Sequence, residues 1–357
     1  MAWLGDPDGQ KKPVYEGTVA ALIRCYQTDK NSPYHGLRQS SARVYTDWCR
    51  TLERAIGKRR VDHLSGQDIR DCFLSLMEPA EPGGAPRVRL AKSCTRSMLT
   101  ILLNYGAELG LPGCLNLAQV LERMTLRVPQ PVRRAWKAAR PKKRAMTYDQ
   151  AAAIVTEGLA RGTRRHRSIA LGVAAQFELT LRQVDVIGEW EKIDRTVALG
   201  PGAIIDRGQV WRHGLRFEDF AGGELDLETS KTETKAVFDV TVYPLFQQAL
   251  ASVPLCERHG PLVTDDNGSP VRRRYYWDLY RDVADAAGVP RSVWSMHARH
   301  GGATEAQQAG VDLDIAEHAQ HSDINTTRKH YIVPSVETSR RVARQRVAHR
   351  QAKKNTP

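Results

Sequence analysis

Apolar residues recur at helical spacing through the first third of this chain and lose that regularity beyond residue 148. Val19, Leu22, Ile23 and Tyr26 follow an i, i+3, i+4, i+7 pattern, and Tyr45, Trp48, Leu52, Ala55 and Ile56 repeat it. Each set lines one face of a helix, so two amphipathic helices are predicted. A third is predicted to begin at Ser65, whose hydroxyl can cap the first turn with Asp68 beside it. A fourth carries Met98, Ile101, Leu102 and Tyr105 before Gly110, and Glu81 to Pro86 reads as a plain loop. Residues 14–128 therefore read as an all-helical domain of roughly four or five helices, preceded by an arm over 1–13.

The second part, 148–357, mixes periods. Helical pattern covers Tyr148 to Leu159 and Ser168 to Glu189, with Ile169, Val173, Phe177 and Leu181 on one side. Between Ile204 and Val242 the alternation changes to that of short strands. Leu225 and Leu227 alternate with polar residues, as do Phe238, Val240 and Val242, which predicts a strand pair with its tip near Ser230 to Lys235. Helical sequence returns from Leu245, and a basic helix is predicted over 336–354. The expected class is mainly α with a small β-sheet: a helical domain, then an α+β domain. A length of 357 residues is enough for two such cores.

The two parts are joined by a stretch, 129–147, in which Arg133, Arg134, Lys137, Arg140, Lys142, Lys143 and Arg144 fall within twelve residues without an acid. It reads as a linker with a basic face. The chain carries a net charge of +13, which favours a polyanionic partner such as nucleic acid. A basic strap can follow a phosphate backbone and release counterions, and Arg272, Arg273 and Arg274 form a second candidate set of phosphate contacts.

Several function classes lose support. Met1 to Tyr15 has no apolar core, and no stretch reaches the ~18 uninterrupted apolar residues that span a bilayer, so no membrane association and a cytoplasmic, DNA-associated location are expected. The six cysteines show no Cys-x-x-Cys pair and no regular His companions, and are expected to be buried, reduced thiols. Neither a phosphate-binding G-x-x-x-x-G-K-[ST] loop nor a G-x-G-x-x-G fingerprint occurs, and no cofactor is expected.

Four local patterns could carry chemistry. Thr180-Leu181-Arg182-Gln183-Val184-Asp185 places an arginine on an otherwise apolar helix with a carboxylate three residues on. Alone, it reads as an intrahelical ion pair. Ser230-Lys231-Thr232 lies at the strand-pair tip. Met296 to Thr304 concentrates two histidines and Arg299 at the start of a helix. The fourth, Ala319 to Tyr331, contains His321 and Tyr331, with Asn325 or Thr326 able to cap a helix that would contain the tyrosine.

In this order, after a helical domain and a basic linker, the four patterns resemble the tyrosine recombinase (phage integrase) family. That family's motifs are T-G-x-R-x-x-E/D, a hairpin Lys often followed by Thr, H-x-x-R-H, and G-H-S-x-x-x-x-T leading to a nucleophilic Tyr. Arg182 falls on the first arginine and Asp185 on its acidic companion; Lys231, Arg299, His321 and Tyr331 fall on the hairpin lysine, second arginine, late histidine and nucleophile. The chain departs from the pattern at Thr180, where the family usually has glycine and where the change is expected to affect only helix packing. It departs again at Met296, in the place of the first His of H-x-x-R. A thioether cannot exchange a proton; His297, one residue on, is a weaker candidate, rotated by about 100° on a helix.

The resemblance implies an N-terminal core-binding domain and a tyrosine-recombinase catalytic domain that form a clamp on double-stranded DNA. It implies cleavage and rejoining through a 3′-phosphotyrosyl link without metal or ATP. A homo-oligomer, a tetramer on DNA, is the expected assembly, with accessory DNA-bending factors as possible partners and the basic tail packing on a neighbouring protomer. The residue types suit that chemistry: guanidinium forks stabilise charge on non-bridging oxygens, and neighbouring cations favour the phenolate of a residue whose ordinary pKa is ~10. Two other readings are a type IB topoisomerase-like or resolving enzyme that reseals its own strand, and a DNA-binding protein that has kept the fold and lost catalysis.

Overall fold

The structure, a computed structural model, describes residues 15–140, 143–193, 198–200, 202–220, 222–231, 233, 235–310, 318–320, 340 and 343–344. The chain divides into two compact units, Met1–Pro141 and Lys142–Pro357.

The described part of the first unit is helical. Helices α1 (Val19–Thr28), α2 (Gln39–Ile56), α3 (Gly66–Leu76) and α4 (Val88–Lys92) are followed by a π-turn over Ser93–Met98 that leads into α5 (Leu99–Glu108); α6 (Cys114–Arg123) and α7 (Gln130–Ala139) complete it. The Ser65 and Asp68 side chains form a capping box on α3. The apolar faces read from the sequence meet in one core, where Leu22, Tyr26, Leu52, Phe73, Met98 and Leu102 are fully buried. Within the stretch expected to be a linker, Gln130–Ala139 is helical, and its Val132 and Trp136 pack against this core while Arg133, Arg134, Lys137 and Arg140 stay exposed. Five cysteines are buried as expected, but Cys256 is exposed because it follows the surface residue Leu255 in a short 3₁₀ turn.

The second unit is built around α9 (Arg164–Glu178), which is buried from Ser168 through Phe177. Small residues on it, Ala170, Gly172, Ala174 and Ala175, let neighbours approach from every side, the pattern of a helix enclosed by others. Those neighbours are α8 (Tyr148–Ala160), α10 (Gln183–Ile187), α11 (Pro244–Ala251), α12 (Arg273–Ala286) and α13 (Met296–Ala309). α8 is started by a capping box between Thr147 and Gln150. The carboxylate of Glu178 accepts from the backbone N–H groups of Leu245 and Phe246 at 3.2 and 2.7 Å, so the end of α9 caps the start of α11.

Two small antiparallel sheets flank the helices. β1 (Glu189–Lys192), β2 (Ile205–Asp206) and β3 (Gln209–Arg212) pair in the order β1-β3-β2, with Trp190 opposite Trp211. β4 (Glu224–Glu228) and β5 (Lys235–Asp239) form the hairpin predicted from the alternating pattern, with Leu225 opposite Phe238 and Leu227 opposite Ala236. The strand ends sooner than expected. The Asp239 carboxylate accepts from the Thr241 N–H at 3.0 Å, which turns the chain and leaves Val242 65% exposed. No helix among the described residues is long and apolar enough to cross a membrane.

Candidate active site

Three segments of the second unit meet at the candidate site: the break between α9 and α10, the first turns of α13, and residues His318 to Gln320. The sequence predicts one helix from Ser168 to Glu189 with Arg182 on it; the structure corrects this. α9 stops at Glu178, and Thr180 takes a left-handed φ of +47°. A right-handed helix cannot accommodate that conformation. Arg182 is therefore extended, at the entry to α10 rather than inside a helix. For the same reason the family's glycine at position 180 is not a matter of helix packing. The position demands positive φ, where glycine is unstrained and a β-branched residue is not.

Arg299 is the fourth residue of α13 and is 3% exposed. Its depth depends on Gly301 and Gly302: a β-carbon at the first would overlap the Met146 carbonyl oxygen, and one at the second the Phe177 carbonyl oxygen. Only glycines let α13 lie this close to α9. The Arg299 guanidinium donates to the carbonyl oxygens of Thr180 and Ala319 and, at 2.8 Å, to the side-chain oxygen of Gln320. Arg182 donates from Nη2 to the Gln320 carbonyl at 3.2 Å. The two arginines, remote in sequence, thus converge on one dipeptide. Among the described residues Arg182 Nη1 is buried with no hydrogen-bond acceptor, and the Asp185 carboxylate lies 3.8 Å from it.

Asp185 does more than pair with Arg182. Its Oδ1 accepts from the backbone N–H of Ser230 at 2.9 Å and from the Ser230 hydroxyl at 2.6 Å, tying the β4–β5 tip to the arginine segment. Lys231 follows directly and is exposed at the turn. His321 and Tyr331, together with Lys142, Thr232, Lys329 and most of the predicted tail helix, lie outside the described residues.

The motif positions at the start of α13 are less engaged. Met296 is 58% exposed. His297 accepts from the Trp294 N–H at Nδ1 (2.9 Å), capping its own helix, and makes no hydrogen bond to either arginine. Burial, with the charge of Arg144 and the neighbouring His300, holds its pKa below the usual histidine value. His300 and His318 are also lowered, chiefly by burial; His300 lies beside the Arg144 carbonyl and His318 beside that of Glu178.

Of the basic residues proposed to meet phosphates, Arg133, Arg134, Lys137, Arg140, Lys143, Arg144, Arg273 and Arg274 are exposed. Arg272 is instead half-buried and engaged by Asp206 at 2.6 Å and by Gln209, over the Trp190 ring. Among the described residues, one group offers metal-type donors in proximity: Glu189, Glu191 and His213, with atoms within 4.8 Å of one another. Arg212 already meets Glu191 at 3.4 Å there.

The sequence motifs single out neither Gln320 nor the hydrogen-bonding role of Thr180. A signal for Gln320 is nonetheless present in the motif. G-H-S carries glycine before the histidine, where this chain has glutamine, and Gln320 is fully buried with φ +50°.

No protein-family model matches the chain, and no curated protein is similar to it in sequence. Solved structures are similar in fold. A lambda integrase dimer bound to a COC′ core site is 13% identical with a TM-score of 0.59, over 87% of this chain and 76% of that one. The Tn1549 transposon integrase in complex with circular intermediate DNA is 14% identical with a TM-score of 0.55, over 91% and 99%. A lambda integrase tetramer bound to a Holliday junction is 14% identical with a TM-score of 0.54, over 87% and 76%. At these identities the likeness is one of fold, and the chain has the fold of the tyrosine recombinases, the family its motifs resemble.

Proposed function

We propose that this protein is a site-specific DNA recombinase or integrase that cleaves and rejoins DNA through a 3′-phosphotyrosyl intermediate. The observation that carries this reading is the convergence of Arg182 and Arg299, which join the family's two arginine motifs at one place in the fold. A buried and a partly buried guanidinium group brought together suit the charge that develops on a phosphodiester during attack. The buried, unsatisfied Nη1 of Arg182 is a donor that a phosphate oxygen would complete.

In this mechanism the phenolate oxygen of Tyr331 bonds to phosphorus, the P–O5′ bond breaks, and Lys231 protonates the departing 5′-oxygen. His321 donates a further hydrogen bond to the phosphate. The anchoring of Ser230 on Asp185 supports Lys231, the next residue, as the group brought to the arginines. Attack by the 5′-hydroxyl of another strand reverses the step, so the bond energy is retained without ATP or metal. The partner is duplex DNA, met by the exposed Arg133, Arg134, Lys137, Arg140, Lys143 and Arg144 together with Arg273 and Arg274. The dimer and tetramer assemblies named for the similar integrases support a homo-oligomer on DNA.

Covalent trapping on a nicked duplex tests the reading. The wild-type protein is expected to form a protein–DNA adduct and Tyr331→Phe none. Specific binding with no adduct from the wild type would establish instead the catalytically degenerate binder, the reading favoured by Met296, whose thioether cannot move a proton. Strand exchange between two sites would separate a recombinase from a topoisomerase-like enzyme.

A further inference from the structure

We infer that Thr180 and Gln320, at positions where the resembled motifs carry glycine, are positioning residues that together fix the orientation of the two arginine guanidinium groups. This rests on the reading of Arg182 and Arg299 given above. Both residues are buried, at 1% and 0% exposure, and both hold left-handed backbones, φ +47° and +50°. Such conformations are disfavoured for residues with a β-carbon and persist only where the surroundings over-determine them.

Here the side chains supply bonds that glycines could not, to the His318 carbonyl and to Arg299, beside backbone carbonyl bonds that any residue offers. The Thr180 hydroxyl donates to the His318 carbonyl at 3.0 Å, and the Gln320 side-chain N–H donates to the same carbonyl. The Gln320 side-chain oxygen accepts from Arg299 Nη1 at 2.8 Å, while its backbone carbonyl accepts from Arg182 Nη2 at 3.2 Å. The Thr180 carbonyl takes a further bond from Arg299 Nη1. One residue, Gln320, therefore touches both guanidinium groups, and the other braces the loop on which Gln320 stands. A buried amide has to be hydrogen-bonded, so this arrangement fixes Arg299 in a way that a glycine in the same place does not.

The test uses the full-length protein and two readouts. The first is the rate at which phenylglyoxal, an arginine-specific dicarbonyl, modifies Arg182 and Arg299, followed by peptide mass spectrometry with exposed Arg274 as the internal control. Gln320→Leu and Thr180→Val are expected to raise modification of Arg299 several-fold at unchanged Arg274 reactivity. Thr180→Ser, which keeps the hydroxyl, is expected to return it to within about twofold of wild type. The second readout is adduct formation at saturating DNA. A tenfold or greater loss of rate is expected for Gln320→Leu and Thr180→Val, with the DNA dissociation constant changed less than threefold and recovery in Thr180→Ser.

Unchanged Arg299 reactivity in both variants overturns the inference whatever the activity. Raised reactivity with wild-type cleavage also overturns it, as does parallel loss of cleavage, DNA binding and melting temperature without serine rescue. If the wild type forms no adduct, the recombinase reading fails, and the dicarbonyl rates alone decide the inference.

Discussion

Arg182 and Arg299 carry the same charge in different settings. Arg299 is enclosed by carbonyl oxygens and an amide, whereas Arg182 gives one bond to the Gln320 carbonyl and faces the Asp185 carboxylate at 3.8 Å. Around them, His297, His300 and His318 share a direction of shift: burial disfavours their charged forms. The unfolded chain therefore binds more protons, and stability rises with pH across this range. The contribution is fully present above the ordinary histidine value of ~6.5 and is lost as pH falls through the lowered folded values. Urea midpoints are expected to climb between pH 5 and 7.5, with a shallower slope in His300→Gln; an unaltered slope would exclude burial of His300 as a cause.

At the level of elements, the site depends on how closely α13 approaches α9. The alternating apolar pattern was enough to predict β4, β5 and the tip that carries Lys231, and Ser65 marked the start of α3. The approach of two helices leaves no such periodic trace. Gly301 and Gly302 read as ordinary residues of a helix until the Met146 and Phe177 carbonyls are seen against them. Gly302→Ala is expected to destabilise the protein by about 3 kcal/mol, the upper part of the range for forcing an atom into a packed interior. The check is the denaturant midpoint at constant slope. Loss of adduct formation is expected to accompany it, because the displaced helix carries Arg299.

For the whole molecule, the two units have separate cores, and the excess of positive charge is the property that spans both. Exposed Arg133, Arg134 and Lys137 on α7 have no acid among their near neighbours in sequence. If they meet phosphates, replacing all three with alanine weakens DNA binding similarly on every sequence. The logarithmic salt dependence of affinity then flattens by roughly 0.9 for each phosphate that is no longer neutralised. Titration of binding to two unrelated duplexes at several salt concentrations measures this. Weakening confined to one duplex would assign these residues to base recognition instead.

Local spacing determined which segments form most helices, where the hairpin lies and which residue types recur in a recombinase-like order. Those properties follow from periodicity and capping, which act within a few residues. Tertiary structure decided the rest: the break at Thr180 that removes Arg182 from a helix, the tying of Arg272 to Asp206, and the meeting of Thr180, Arg182, Arg299 and Gln320. Each depends on atoms far apart in the chain, where burial forces polar groups to find partners and backbone sterics yield to the hydrogen bonds that a strained conformation makes possible.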